Sequence, residues 1–549
     1  MAPTANEQAW TARLVEAARS GEALDLAPGV PDGEIEPAGA ASWPSERCVP
    51  AAALRAALLD PDLKPDPSGL WIRGAYLTGT LNLDHATIPC PLSLTYSAAK
   101  NLLRVEYATL PHLDLTGTHL PGLSLDGARV PGNVDLKHLT ASGKVRAIGA
   151  HIGGHLDLDD ATISNTAGEA MCLDMARVDD GVFLTRLKAT GEVRAVGAHI
   201  GASLGLEGAI LTNKEGAILT NKEGEALRCA LILDMARIDG SAFLKGLTAT
   251  GHIRALHAQI GGQLVLAGAT LTYEVVDVLN VQETEVSTLG LRRMGRLPSL
   301  LLLRGAQVGT LVVDAKTPDG GLPGVLIAAG WRVTDMQGVI RDDRGAAAAW
   351  LDTALDHVSQ PWHELAAVFE RNGQPADARW LRWQAARRIT RAAPRNSKPI
   401  RCVYGALVGY GYYPLLAAVW LLLALGTTTA LTEAHREAFT PTMPAAAALP
   451  TAPTSTPGPP AAPTVTPGAP PASITGDTPC RQLAPTYPCL QPGLYALDTE
   501  LPAAPGGQSS AWRVTAGGWL PWALTGLRAF AWIMTVLLLA GVTGLLRKT

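Results

Sequence analysis

Between residues 70 and 335 the chain places small or branched apolar residues two positions apart, as in Ala150-x-Ile152, Leu156-x-Leu158 and Ala161-x-Ile163. A spacing of two puts both members of a pair on one face of an extended segment. The pairs return every five or six residues, with Gly or Asp between them. Segments this short cannot make a free-standing sheet. They can stack as rungs of roughly 20 residues, each about 4.8 Å from the next, joined by backbone hydrogen bonds. The inward set then includes Ile152, Ile200 and Ile260, and the outward set His151, Asp157 and Arg194.

Longer phrases repeat on the same rhythm. VRAIGAHIGGHLDLDDATI from Val145 returns as VRAVGAHIGASLGLEGAIL from Val193 and IRALHAQIGGQLVLAGATL from Ile253. It alternates with LDMARVDDGVFL from Leu173 and LDMARIDGSAFL from Leu233. Such repetition marks a solenoid, whose units bury their apolar faces only by stacking. The rhythm resembles the pentapeptide-repeat right-handed parallel β-helix, with a spacing that is not a strict five. The expected fold is therefore mainly β: a right-handed parallel β-helix over residues 70–340 with about 11 or 12 rungs, four-sided in preference to three-sided. An eight-residue phrase, GAILTNKE, occurs in tandem from Gly208 and Gly216 and reads as a loop expanding from the coil.

Outside the coil the period changes. Residues 7–19 and 49–59 predict helices, the second with Pro50 in its first turn. They make residues 1–69 an N-terminal helical cap over the apolar lumen and unpaired edges of the first rung. Residues 341–400 predict a helical hairpin and basic stem, with helices over 345–357, 361–372 and 376–391. Leu365, Val368 and Phe369 form an apolar stripe, and Asn372-Gly373-Gln374-Pro375 stops one helix and opens the next.

Two uncharged apolar spans follow, 413–431 and 529–546, each about long enough to cross a bilayer core. Arg387, Arg388, Arg391, Arg395, Lys398 and Arg401 precede the first, and Arg547 and Lys548 follow the second. The positive-inside rule puts both flanks in the cytoplasm. The expectation is a multi-pass plasma-membrane protein with two transmembrane helices and both termini cytoplasmic. The connection 432–528 would lie outside, with its Pro/Ala/Thr tract over 440–473 an extended, disordered linker. Residues 1–6 show no basic stretch leading into an apolar run, so no secretory signal is expected.

Charge narrows the partners. The formal net charge is -4. Residues 70–341 hold about 24 Lys/Arg against about 26 Asp/Glu. So balanced a rod suggests neither nucleic-acid binding nor an acidic mimic of DNA. Cys48, Cys90, Cys172, Cys229 and Cys402 would sit on the reducing side, whereas Cys480 and Cys489 would sit outside, where a disulfide can persist. No CxxC pair, zinc spacing or dinucleotide fingerprint appears in a fitting context, so no metal, cofactor or catalytic residue is expected. His151 and His199 occupy equivalent positions, with Gln259 in the third copy. Two rungs, roughly 9–10 Å, separate them, too far for one metal with ligands about 2 Å away. Asp157, Asp159 and Asp160 read as outward and turn residues, not as a glycosidase carboxylate pair. Arg146, Arg194 and Arg254 recur with the first phrase, and Asp174, Asp234, Arg177 and Arg237 with the second. These seven are the candidate partner-binding face of the rod.

The order of parts adds a resemblance. A degenerate β-helix, then LAAVFERNGQPADARW, then VGYGYYP opening a span, then a span closing in LLRK, resembles a group of actinobacterial membrane proteins. These are described as pentapeptide-repeat membrane proteins or membrane-associated oxidoreductases. The resemblance implies a membrane location and an oxidoreductase alternative, and carries over no catalytic residue. The sequence thus points to a membrane-anchored cytoplasmic scaffold or interaction protein, with an unidentified protein partner on the solenoid face. The alternatives are the oxidoreductase and a sensor coupling the outside loop to the rod.

Overall fold

The computed structural model describes residues 4–213, 219–220, 226–272, 278–292, 294, 298–314, 324–354, 358–448, 474–501, 506–515 and 517–543. The chain divides into two compact units, Met1–Leu381 and Arg382–Thr549.

The first unit is a parallel β-solenoid of about eleven turns. A turn carries four short strands, as in Arg129–Val130, Val134–Asp135, Thr140–Ala141 and Val145–Arg146, so the coil is four-sided. Two adjacent sides belong to one sheet and the other two to a second. Pairing keeps like against like. Val130, Ile152, Val178, Ile200, Ile238 and Ile260 form one column, all buried. Alternation along each strand sends these branched side chains into the lumen and leaves their neighbours on the surface.

The corners explain why two phrases alternate. Corners between the sheets are tight turns holding one residue in the left-handed region. Down one edge these residues are Tyr107, Gly127, Gly149, Met175, Gly197 and Met235. A Cβ on Gly127 would meet the Tyr107 ring at 2.5 Å, and one on Gly197 would meet Met175 Sδ at 2.6 Å. A large side chain on one rung therefore folds over the glycine of the next. At Met175 and Gly197 LDMAR supplies the methionine and V-G-A-H the glycine, whereas Met235 is followed by His257, so the third copy keeps the corner without the glycine.

Corners within the first sheet are bends, as at Gly153-Gly154, until the C-terminal third of the coil. There the two strands fuse into seven-residue strands, Gln259–Val265, Glu285–Leu291, Gln307–Val313 and Arg332–Gly338. A register shift between Ile260 and Gln263 accompanies the change.

Both coil ends are covered. Ala5–Ser20, closed by a Thr4/Glu7 capping box, and Ala51–Leu58 lie at the start. The segment between them is not simple loop, because Leu24–Asp25 pairs with Ile72–Arg73 and Cys48–Pro50 with Tyr76–Thr78. At the far end Trp331 of the last rung meets Trp350 of helix Arg344–Asp352 edge to face, both fully buried. Helix Gln360–Arg371 answers the polar groups of the terminal strand. Gln360 accepts from Gly330 N–H and donates to the Trp331 carbonyl, Glu364 accepts from Val333 N–H, and Arg371 donates to the Val333 and Thr334 carbonyls. Side chains thereby replace the next rung that an open edge would recruit. Helix Pro375–Ala392 follows.

In the second unit, Leu415–Ala434 and Leu520–Gly541 are long and apolar enough to cross a membrane. They pack through Ala417 and Met534, with Trp420 edge-on to Phe530. Leu415, Val419, Leu422 and Leu423 on one and Ile533, Val536 and Leu539 on the other are exposed. Two expectations are corrected here. The second span, expected at 529–546, belongs to a helix starting at Leu520, so Arg528 lies within it. Along the sequence a charge interrupts an apolar run, so the expected span begins after Arg528. Its guanidinium instead lies over the Trp532 ring, 5.3 Å from the centroid, an arrangement that lets a long basic side chain remain on an apolar helix.

The connection 432–528 is also more than a linker. Phe439–Pro441 pairs antiparallel with Trp512–Val514, and Phe439, Leu483, Leu490, Tyr495 and Trp512 form a small core. Apolar and aromatic residues on either side of the Pro/Ala/Thr tract supply that core, which composition of the tract alone conceals. Residues 449–473 of the tract, most of the second GAILTNKE copy, and Arg547 and Lys548 lie outside the described residues.

Candidate functional site

The seven residues of the candidate face divide between the two sheets. Arg146, Arg194 and Arg254 stand in the second sheet, and each is gripped by an aspartate one rung earlier. Asp126 binds Arg146 at 2.6 Å and Asp174 binds Arg194 at 2.6 Å, while Asp234 forms a short contact with Arg254. The other carboxylate oxygen of each accepts a backbone N–H from the Arg-bearing rung: Ile148 at 2.9 Å, Val196 at 2.9 Å and Leu256 at 3.0 Å. Asp84 does the same with Arg104 and Glu106 N–H. The aspartate sits immediately before the left-handed corner residue, which aims its carboxylate along the coil axis. These pairs are inter-rung clamps, and Asp174, Asp234, Arg146, Arg194 and Arg254 are committed to one another or to neighbouring rungs. Arg194, expected on the outward face, is therefore an inter-rung tie and not a solvated side chain alone. Asp157, expected outward and solvated, is only 6% exposed and holds Lys137 Nζ at 3.1 Å.

Arg177 and Arg237 lie in the first sheet, in a different column. That column runs Arg129, His151, Arg177, His199, Arg237, Gln259, Glu285, Gln307 and Arg332, one residue per rung. His151 and His199 are indeed two rungs apart, with Arg177 between them. Asp179 accepts from Arg177 Nε at 2.6 Å and meets His151 Nε2 at 2.9 Å; Asp239 repeats this with Arg237 at 2.7 Å and His199 at 2.9 Å. The hydrogen bonds from His151 and His199 are the main reason both carboxyls titrate below the usual carboxylate range, with the arginines adding to it.

Where the corner straightens, the column opens into a groove of about 640 Å³. Arg237, Asp239, Gln259, Glu285, Gln307 and Arg332 line it, together with Ser287 and Thr334. Of these, repetition along the sequence marks only Arg237 as a candidate face residue. The signal for the rest was the run of x-Ile/Val-Gly/Ser/Thr triplets at Gln259, Glu285, Gln307 and Arg332, which becomes visible only once those strands are in register. Guanidinium, carboxylate, amide and hydroxyl groups at rung spacing can hydrogen-bond an extended polar ligand lying along the column.

Among buried titratable groups, Glu192 is 2% exposed, and burial pushes its carboxyl up to about 7 against the pull of Arg194. Burial pushes the Cys172 thiol up to about 11 and Cys229 up to about 12, which leaves both poor nucleophiles. Cys402 is a free, exposed cysteine of the second unit. Cys480 and Cys489 form a disulfide, with Cα atoms 5.5 Å apart.

The fold and columns define a parallel β-solenoid joined to two candidate membrane helices. Comparison with family models, curated proteins and solved structures returned no match.

Proposed function

We propose that the chain is a membrane-anchored scaffold whose solenoid faces the cytoplasm and offers the groove at Arg237–Arg332 to a protein partner. The observation that carries this reading is the registered polar column opening into a groove across five rungs. An extended segment of a partner can satisfy those side chains in series, and the membrane helices raise its effective concentration near the bilayer. The resemblance to actinobacterial membrane proteins supports the location and leaves an oxidoreductase as the alternative.

Photo-crosslinkers at Gln259 and Gln307 in cells are expected to capture the same protein. A crosslinker at Lys100, exposed at the bend after strand Ala98–Ala99 of the second sheet, should not. Arg332→Glu should abolish the capture. Equal labelling from all three sites would reject the groove as the binding surface. Orientation is tested separately with an impermeant thiol reagent. Cys402 should react only after lysis, and Cys480 and Cys489 should react in intact cells once reduced.

A second reading, a sensor coupling the outside segment to the rod, is favoured by one contact. Thr428 of the first membrane helix makes a short hydrogen bond to the fully buried Glu500. Motion of the outside segment would thereby reach that helix.

A further inference from the structure

Beside the polar column, on the neighbouring side of the first sheet, two successive rungs bring together Asp135, His155 and Asp157. One ligating atom from each lies within 4.8 Å of the other two, and no other such group occurs among the described residues. His155 Nε2 is 3.1 Å from Asp135 Oδ1. Two ligands about 2.1 Å from a tetrahedral metal lie about 3.4 Å apart, so this pair already has metal-like spacing. Asp157 is held in place from behind, because its Oδ1 accepts a backbone N–H two residues on. The free oxygen, Oδ2, meets Lys137 Nζ at 3.1 Å. The second oxygen of Asp135 faces His112 Nε2 at 3.5 Å, so a second imidazole stands beside the cluster. Phe183 of the next rung stands edge-on to His155, with centroids 6.0 Å apart, and walls one side. The ligands come from adjacent rungs and adjacent columns, which removes the distance that disqualifies His151 and His199.

We infer that Asp135, His155 and Asp157 bind a divalent transition-metal ion, with Lys137 as the internal cation that neutralises Asp157 when the metal is absent. One imidazole and two carboxylates suit Zn²⁺ or its spectroscopic substitute Co²⁺ better than Ca²⁺ or Mg²⁺, which favour all-oxygen sets. Three protein ligands leave a fourth position open to water. Lys137 is the competitor: its ammonium must leave Asp157 before the metal can take that oxygen.

The test uses the full-length protein in detergent, stripped with a chelator and titrated with Co²⁺ and Zn²⁺. One equivalent of Co²⁺ should give visible absorption of a four-coordinate N/O site, displaced by Zn²⁺. His155→Gln and Asp157→Asn should each weaken binding at least tenfold. Lys137→Met should tighten it, whereas a purely structural ion pair would gain nothing from that change. Thermal unfolding without metal checks that each variant is folded. If the wild type binds no Co²⁺, if His155→Gln and Asp157→Asn bind as tightly as wild type, or if Lys137→Met loses binding while folded, the inference fails.

Discussion

The clamp between Asp174 and Arg194 makes a quantitative prediction, because its two halves are unequal. Asp174→Ala removes the acceptor of Val196 N–H and the closest partner of Arg194. A net hydrogen bond contributes about 1 kcal/mol and one to a charged group about 1.5–3 kcal/mol. Arg194 is partly exposed and keeps Glu169 at 3.3 Å and Glu192 at 3.6 Å, so the ionic share is discounted. The expected loss is about 2–3 kcal/mol, most of it from the stranded N–H. Arg194→Ala leaves the Asp174–Val196 bond intact and lets the carboxylate hydrate, for about 1 kcal/mol. Arg177→Ala, on the exposed column, should stay within about 0.5 kcal/mol. Hydrogen exchange read by mass spectrometry can localise the effect. A loss of 2 kcal/mol corresponds to roughly 30-fold faster exchange, confined to the two rungs that share the clamp. Equal effects of Asp174→Ala and Arg177→Ala, or acceleration spread evenly along the coil, would refute the clamp as a local stitch.

Other changes test other parts. Gly127→Ala should cost about 1–2 kcal/mol for its left-handed backbone, plus displacement of the Tyr107 ring. Adding Tyr107→Ala should recover part of that loss in a thermal melt. Ile200→Asp places an unpaired charge in the lumen and should cost more than about 4 kcal/mol, seen as loss of cooperative unfolding. Glu192 has a folded-state pKa raised to about 7 from an ordinary value of 4.5. Its contribution is fully present below about 4.5 and is lost as the pH rises through 7. Glu192→Gln should therefore be more stable than wild type at pH 8, by on the order of 3 kcal/mol, and should lose that advantage near pH 4.5. Denaturation at the two pH values reads the sign directly.

The solenoid was legible because its inward rule is local: Ile152, Ile200 and Ile260 announce their face by spacing alone. The caps were legible for a similar reason, since Asn372-Gly373-Gln374-Pro375 is local punctuation. The clamps were not, because Asp174 and Arg194 are 20 positions apart and become partners only when rungs align. Their recurrence was visible, and recurrence on a repeat surface fits a binding face as well as a stitch. The groove depends on a corner that straightens, and the cluster of Asp135, His155 and Asp157 on the stacking of adjacent rungs. Nothing in the residue types distinguishes Asp157 from its solvated neighbours until Lys137 is seen against it. The core around Phe439 and Trp512 was hidden by the tract that separates its halves.

The clamps join rungs in pairs: Asp84 to Arg104, Asp126 to Arg146, Asp174 to Arg194 and Asp234 to Arg254. Between one pair and the next, no further Asp–Arg clamp of this kind occurs on this edge among the described residues, although Lys137–Asp157 ties one such junction on the neighbouring side of the first sheet and His257–Glu283 continues beyond the last clamp. Pulled from its ends, the rod would not unravel evenly like a spring. It would part first at junctions that carry neither a clamp nor another ion pair, and two rungs leaving together would release roughly 40 residues or about 140 Å of extended chain. From Asp84 to Arg254 this edge of the coil is thus clamped in doublets, and within that stretch a doublet is the smallest length that can be added or removed without leaving a clamp half-closed.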